Sequence, residues 1–365
     1  MDFRLTEDQR ALRDGMRQLL RARFDREALR DAVDDAAVGG RAAAVDGAAV
    51  GGGAAGQVDG HAEGAAFDIG LWRELGKAGL FALRAPQSAG GLGLGLPEAV
   101  LLFEEAGRAL LPGPLVASHL AGSAGLVAGA EDGTAVVTAV EGTGCTGSCG
   151  GPTPPVAHLA AADAVLVLEE GHTVRVLSPG ELAARPMRSL DPLTPLHRVH
   201  GPRESEAPGA WPARGTGREQ AVDAAVLLRE AVLLTAALQL GSACRTLEMA
   251  VGYARQREQF GRPIGAFQAV QHLCAGMLVR SETARSVVYA AAVTADEDET
   301  SAAKLLADAA AVGNARDCLQ VHGGVGFTWE ADVHLHLKRA WLRAEQWRTA
   351  VTAEERLASA LLCPI

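Results

Sequence analysis

No stretch of this chain concentrates positive charge, and that absence excludes a first class of partners. The 34 lysines and arginines are outnumbered by 44 acidic side chains, for a formal charge of −10. Without a basic block to neutralise phosphates, nucleic acid is not an expected partner. Long apolar runs are also scarce. The longest, Ala231 to Leu238, is far short of a bilayer span, so no membrane is expected. No basic start leading into an apolar core opens the sequence, and a secretory leader is not expected. Cysteines number only six, scattered along the chain. The nearest pair, Cys145 and Cys149, has no second Cys or His pair to complete a metal site. His334 and His336 are two positions apart, which on a helix points them to different faces. No metal is expected, and reduced thiols with a cytoplasmic location are the default.

What is present is enough for a large core: 365 residues, 48% of them hydrophobic. Residues 1–30 read as an amphipathic helix, with Thr6 as N-cap, Gln9 three positions on, and Leu12, Met16, Leu19 and Leu20 on one side. From 31 to 66 the chain is Ala, Gly, Val and Asp with almost no large side chain. Such a segment buries too little apolar surface to offset its ordering entropy, and a mobile, low-complexity insertion is expected. Helical spacing returns at Trp72 and Leu75, and again after Pro97. The run Ala89–Gly95 is a loop and no phosphate cradle, because no strand leads into it and no Lys follows. Glu104 and Glu105 read as a solvated helix face.

Between about 120 and 211 the hydrophobic period changes. Ala135–Val140, Ala164–Leu168 and Thr173–Leu177 are short β-like runs punctuated by Gly, Pro and Asp. Four helical segments follow, at 219–257, 266–293, 300–319 and 329–360, with Asp296–Glu299 as a solvated connection. The first is apolar nearly all round, the mark of a helix buried in a bundle or interface. The expected fold is therefore α+β and mostly α. It has an N-terminal helical domain (1–118), a small β-barrel-like domain (119–211) and a C-terminal four-helix bundle (212–365).

The rest of the chain is organised around YARQREQFGRPIGAFQAVQ, Tyr253 to Gln271. Arg255 and Arg257 sit where a long helix ends, and two readings of them stay open. They complement the negative end of the helix dipole, or Arg257 grips a phosphate with its planar guanidinium. Gly323 and Gly324 likewise read either as a plain interhelical turn or as backbone brought close to an anionic ligand.

The spacing of Arg257, Phe260, Gly261 and Gln268 resembles the flavin-contacting motif of the acyl-CoA dehydrogenase family. A second match follows about sixty residues later, in Gln320-Val321-His322-Gly323-Gly324-Val325-Gly326-Phe327. FEEAGRALLPGPL and Arg188–Thr194 are similar to that family's N-terminal and middle domains. The resemblance implies FAD as cofactor, with Arg257 on the pyrophosphate of a neighbouring subunit's FAD and Phe260 and Gln268 along the same path. Gln320, Gly323 and Gly324 would meet the other end of the dinucleotide. It also implies a reaction. A carboxylate takes the α-proton of an acyl thioester, and the β-hydrogen leaves as hydride to the flavin.

The expected activity is thus FAD-dependent desaturation of an acyl-CoA or acyl-carrier-protein thioester, in fatty acid or polyketide metabolism. An electron-transfer flavoprotein is the expected acceptor, and a homo-oligomer, dimer or tetramer, the expected assembly. A different class of function is a non-catalytic FAD-binding subunit in a hetero-oligomer. Two departures motivate it. The Tyr-Glu-Gly-Thr motif that carries the base in many relatives is missing; Arg343–Arg348 stands there, with Glu345 two positions out of place. The Thr-Glu-Pro strand is replaced by Val140-Glu141-Gly142. Some relatives place the base on the long helix instead. Glu230, between Val226-Leu227-Leu228 and Val232-Leu233-Leu234, is then the candidate. A carboxylate among apolar neighbours is either paired or poised as a base.

Overall fold

The computed structural model describes residues 5–46, 67–141, 155–169, 171, 173–202 and 217–362. Thr6 and Gln9 cap helix α1 (Glu7–Arg23) reciprocally: each side chain accepts the other's backbone N–H at 3.1 Å. The helix does not run on to residue 30. Asp25 accepts the N–H of Ala28 at 3.0 Å and so starts a second helix, α2 (Arg26–Asp46). The expected loss of order from residue 31 is therefore corrected over 31–46. Alanine is the best intrinsic helix former, so an Ala-rich segment needs few large side chains to stay helical, and Leu29 and Val33 anchor its start by burial. The remainder of the expected insertion, 47–66, lies outside the described residues, as do Cys145 and Cys149.

The chain forms two compact units that interleave in sequence. One comprises Met1–Ala22, Leu94–Leu111 and Leu228–Ile365; the other comprises Arg23–Gly93 and Pro112–Leu227. We keep the divisions at 118/119 and 211/212 as proposed module boundaries.

The second unit holds α3 (Ile69–Lys77), α5 (Leu115–Ser123) and two small sheets. Strands β1 (Val137–Glu141), β3 (Ala164–Leu168), β4 (Thr173–Leu177) and β7 (Arg218–Asp223) pair in the order β1-β3-β4-β7. Strands β2 (Val156–Ala157), β6 (Leu196–Pro202) and β5 (Leu182–Met187) pair in the order β2-β6-β5. Among the described residues only β1 and β3 run parallel, with Val137 opposite Ala164. Val140, Val156, Val165, Val167, Leu177 and Val199 form the core. The expected helix from 219 thus begins five residues late, because 218–223 completes the sheet against β4.

Also in this unit, His119 on α5 is fully buried, its Nδ1 2.7 Å from the carbonyl of Leu80. Burial pulls its pKa from 6.5 down to about 4, against a smaller opposing effect of the Leu80 carbonyl and with a slight further push from Arg84. A depressed folded pKa means the unfolded chain takes up the proton first. This contribution is complete above pH 6.5 and is lost as pH falls to about 4. The loss amounts to about 3 kcal/mol at most. Thermal melting from pH 7 to 4.5 should show it, and His119→Gln should flatten the acid limb. A melting temperature equally pH-sensitive in both proteins would refute the assignment.

The first unit is helical: α4 (Leu96–Arg108), α6 (Ala224–Gln256, of which Leu228 onward belongs here), α7 (Gln268–Thr294), α8 (Glu297–His322), α9 (Val333–Ala344) and α10 (Ala350–Leu362), with α1. Helices α4 and α6 cross with their backbones in contact. A Cβ on Gly107 would lie 2.1 Å from the carbonyl oxygen of Leu238, and one on Gly241 1.9 Å from that of Glu104. This close crossing overturns the expected solvated face of α4. Glu104 and Glu105 are both buried. Glu105 accepts two bonds from Arg17, at 2.8 and 2.6 Å. Glu104 accepts from the Tyr289 hydroxyl at 2.7 Å, with Arg285 3.6 Å away. Buried carboxylates persist when cations and donors surround them, and those partners come from distant segments.

Lys304, also buried, bridges three helices: its Nζ lies 2.5 Å from Asp308 and 3.1 Å from the Arg343 carbonyl, while Gln239 donates to Asp308 at 2.8 Å. The acidic run at 296–299 is not a mere connection. Asp296 caps α8 by accepting the N–H groups of Asp298 and Glu299 at 2.9 Å, and Glu297 and Asp298 occupy the first turn, where the dipole favours them. The expected last helix is broken at Trp347 and Arg348, both with left-handed φ (57° and 76°). Arg348 is held there by Glu297 at 2.7 Å and Ser301 at 2.9 Å. Helix α6 is long and apolar enough by composition to cross a membrane, yet 83% of its most apolar window is buried inside the protein.

Candidate functional site

Helix α6 ends at Gln256, and the N–H of Arg257 still bonds to the carbonyl of Tyr253 at 2.9 Å. A two-residue hairpin then turns the chain, β8 (Glu258–Gln259) against β9 (Arg262–Pro263), with Gln259 opposite Arg262. The turn residues Phe260 (φ 53°) and Gly261 (φ 74°) are both left-handed, as a type I′ turn demands. Glycine adopts that conformation freely; phenylalanine does not. Phe260 is also 90% exposed, with the edge of Phe267 beside it at 6.0 Å between ring centres. Burial does not account for an aromatic held in this strained, open position. Arg262 lies 4.3 Å above the Phe267 ring, and the N–H of Ile264 closes the loop on the Arg257 carbonyl at 2.8 Å. Gln268, exposed, opens α7.

Arg257 itself is exposed, and among the described residues its guanidinium has no ion pair and no hydrogen bond. Arg17, Arg108 and Arg280 each end on a carboxylate; Arg257 projects an uncommitted fork.

The second motif closes α8. Gln320 is exposed in its last turn and His322 is its last residue. Gly323 (φ 62°) ends the helix, and a 3₁₀ turn follows over Gly323–Phe327. A Cβ built on Gly323 or on Gly324 would meet nothing within 4 Å. Packing therefore does not require these glycines, and the backbone there is open to close approach by a ligand.

The fold brings the two motifs together. The ring of Tyr253, four residues before Arg257, stacks on that of His322, next to Gly323, with centres 4.2 Å apart and planes at 21°. His322 is fixed in turn, its Nδ1 2.8 Å from the Cys318 carbonyl. Beneath lie Ala250, Ala254, Cys318, Leu319 and Val321. Burial pushes the Cys318 thiol up to about 12, so it is inert packing. The first motif thus offers a cation and an exposed ring, the second open glycine backbone, at one end of the bundle. That set suits an anionic dinucleotide. Sequence reading singled out neither Tyr253 nor His322 as a joint between the motifs, and their adjacency to Arg257 and Gly323 was the available signal.

The candidate bases separate by environment. Glu230 on α6 is 6% exposed, whereas Glu345 is exposed at the C-terminal cap of α9. Arg229 lies 3.8 Å from Glu297, the carboxylate that also receives Arg348. Glu230 and Arg257 lie at opposite ends of α6, about 40 Å apart along its axis at about 1.5 Å per residue. His334 and His336 have separate surroundings: His336 bonds to the hydroxyl of Ser242 at 2.8 Å, and His334 packs edge-on against Trp329.

Comparison with known proteins gives this geometry its context. Residues 220–347 match the acyl-CoA dehydrogenase C-terminal domain, and residues 53–135 match the N-terminal domain of the same family. The chain is 35% identical over 275 residues to the acyl-CoA dehydrogenase IpdE2 of Mycobacterium tuberculosis, covering 75% of this chain and 81% of that one. Among solved structures it is similar to the ChsE4-ChsE5 complex of Mycobacterium tuberculosis, at 25% identity and a TM-score of 0.77 over the whole of both chains. Butyryl-CoA dehydrogenase of Megasphaera elsdenii shares the fold at 20% identity, a TM-score of 0.72 and full coverage of both. With helical, β and helical segments in the same order, the chain belongs to the acyl-CoA dehydrogenase family of flavin-dependent oxidoreductases.

Proposed function

We propose that this chain desaturates an acyl-CoA thioester with Glu230 as the base, and that it works as an assembly of at least two chains sharing FAD. The observation that carries the reading is the stacked junction of Tyr253 and His322, which sets an uncommitted arginine and an open pair of glycines on one edge. There Arg257 would hold the diphosphate, Phe260 and Gln268 would border it, and Gln320, Gly323 and Gly324 would offer side-chain amide and backbone contacts. Bound FAD supplies the hydride acceptor. Glu230 removes the α-proton from a position shielded from bulk water, and an electron-transfer flavoprotein takes the electrons. The length of α6 bears on assembly. One dinucleotide cannot reach both Glu230 and Arg257 of the same chain, so the grip of one chain serves the flavin beside the base of another.

A second reading makes this chain the flavin-gripping partner of a catalytic relative. The ChsE4-ChsE5 structure, a complex of two differently named chains, favours it. So does the loop at 345–349, where Arg348 is tied to Glu297 and Ser301 and no base is buried. Anaerobic titration of the purified chain with acyl-CoAs separates the two. Bleaching of the flavin band by any of them supports the first reading, and persistent colour with all of them, relieved only by a co-purified relative, supports the second.

A further inference from the structure

We propose that Tyr253 and His322 are a positioning pair, whose stacked rings hold the Arg257 hairpin and the Gly323-Gly324 turn in the mutual register needed to address one ligand. The inference rests on the reading that these two segments bind FAD. On its other side the hairpin is held by the Ile264–Arg257 backbone bond and by the contacts of Phe260 and Arg262 with Phe267, none of which reaches the glycine turn. The hairpin's six residues from Arg257 to Arg262 are all exposed, and its two strands are two residues each. The glycine turn is equally bare, with Val325 and Phe327 exposed and only Gly326 buried against Leu319. Ala250 and Ala254 of α6 pack non-directionally with Cys318, Leu319 and Val321 of α8, and among the described residues the stack adds the contact of planar, directional groups between the last turns of these helices.

Both rings are constrained. Tyr253 is half-buried on the final turn of α6, one residue from buried Ala254, so its ring cannot swing into solvent without uncovering that cluster. The Nδ1 of His322 faces the Cys318 carbonyl at 2.8 Å, one helical turn back, so it carries the proton and the imidazole plane is set. With centres 4.2 Å apart and planes at 21°, the two rings make a stacked face contact. Neither side chain is assigned a contact with the cofactor. They act through the backbone they join, and their loss is expected to weaken FAD binding without removing any FAD contact.

The test is FAD titration of the deflavinated full-length protein, read by flavin fluorescence, for Tyr253→Leu, Tyr253→Phe, Arg257→Ala and the double variant combining Tyr253→Leu with Arg257→Ala. Aromatic pairs of this kind couple by an amount equal to about a two- to tenfold change in affinity. Tyr253→Leu should weaken FAD several-fold, up to about tenfold, while Tyr253→Phe, which keeps the ring, stays within about twofold of wild type. Arg257→Ala should cost less in the Tyr253→Leu background than in wild type, because its partner segment is already out of register. Should Tyr253→Leu fail to fold, His322→Leu takes its place in the same cycle. Unchanged affinity in the leucine variant, or full additivity with Arg257→Ala, overturns the positioning role. A merely structural tyrosine would lower the melting temperature without coupling to Arg257. If instead the wild type binds no FAD, or Arg257→Ala binds it normally, the site reading fails and not this pair alone.

Discussion

Arg257→Ala is expected to weaken FAD binding by about ten- to a hundredfold, the range set by loss of one charged hydrogen-bonding partner worth about 1.5–3 kcal/mol. The size follows from what the arginine does in the folded chain. Its guanidinium has no ion pair or hydrogen bond among the described residues, so its removal leaves no buried carboxylate behind and no helix unanchored. The apoprotein should therefore keep its melting temperature while its affinity for FAD falls, a combination that a structural arginine such as Arg17 cannot give. Arg17 holds buried Glu105 through two bonds, and its removal strands that charge. Arg257→Lys should recover part of the affinity, since it keeps the charge and loses the planar fork. Equilibrium titration of each apoprotein with FAD measures these differences. An alanine variant that retains FAD like wild type removes the arginine from the site.

Glu230→Gln is the second large effect. The variant should bind FAD and acyl-CoA and still reduce its flavin more slowly by about a hundred- to ten-thousandfold, the usual worth of a positioned base. Glutamine keeps the shape and hydrogen-bonding capacity of the buried side chain, so stability is a control and not the readout. Stopped-flow bleaching of the flavin under anaerobic conditions resolves the step. Normal reduction by the variant leaves the base elsewhere, and Glu345, exposed at the end of α9, is then next to replace. If the wild-type chain is not bleached either, while a co-purified relative restores bleaching, the hetero-oligomeric reading gains and Glu230 becomes a packing residue.

The α, β, α order was legible because the signals are local: the short apolar runs of β3 and β4 and the capping pair Thr6/Gln9 are read within a few residues. The reading failed where the deciding partner was distant. Nothing beside Glu104 in the sequence says that Tyr289 and Arg285 will close over it, and the close crossing that buries α4 depends on two glycines 134 positions apart, Gly107 against the Leu238 carbonyl and Gly241 against that of Glu104. Large-side-chain counting also misjudged 31–46, where intrinsic helix preference outweighed the scarcity of core residues.

By itself, then, the sequence determined the family, the cofactor class that the family implies and the residues that carry the motifs, because a short run of residues at fixed spacing stays visible wherever the chain takes it. Only the tertiary structure decided that two motifs about sixty residues apart meet through the rings of Tyr253 and His322, and that Glu230 is withheld from water while Glu345 is not. Burial and adjacency are properties of helices packed against one another. They arise from contacts summed over the whole bundle, and no local pattern of side chains encodes them.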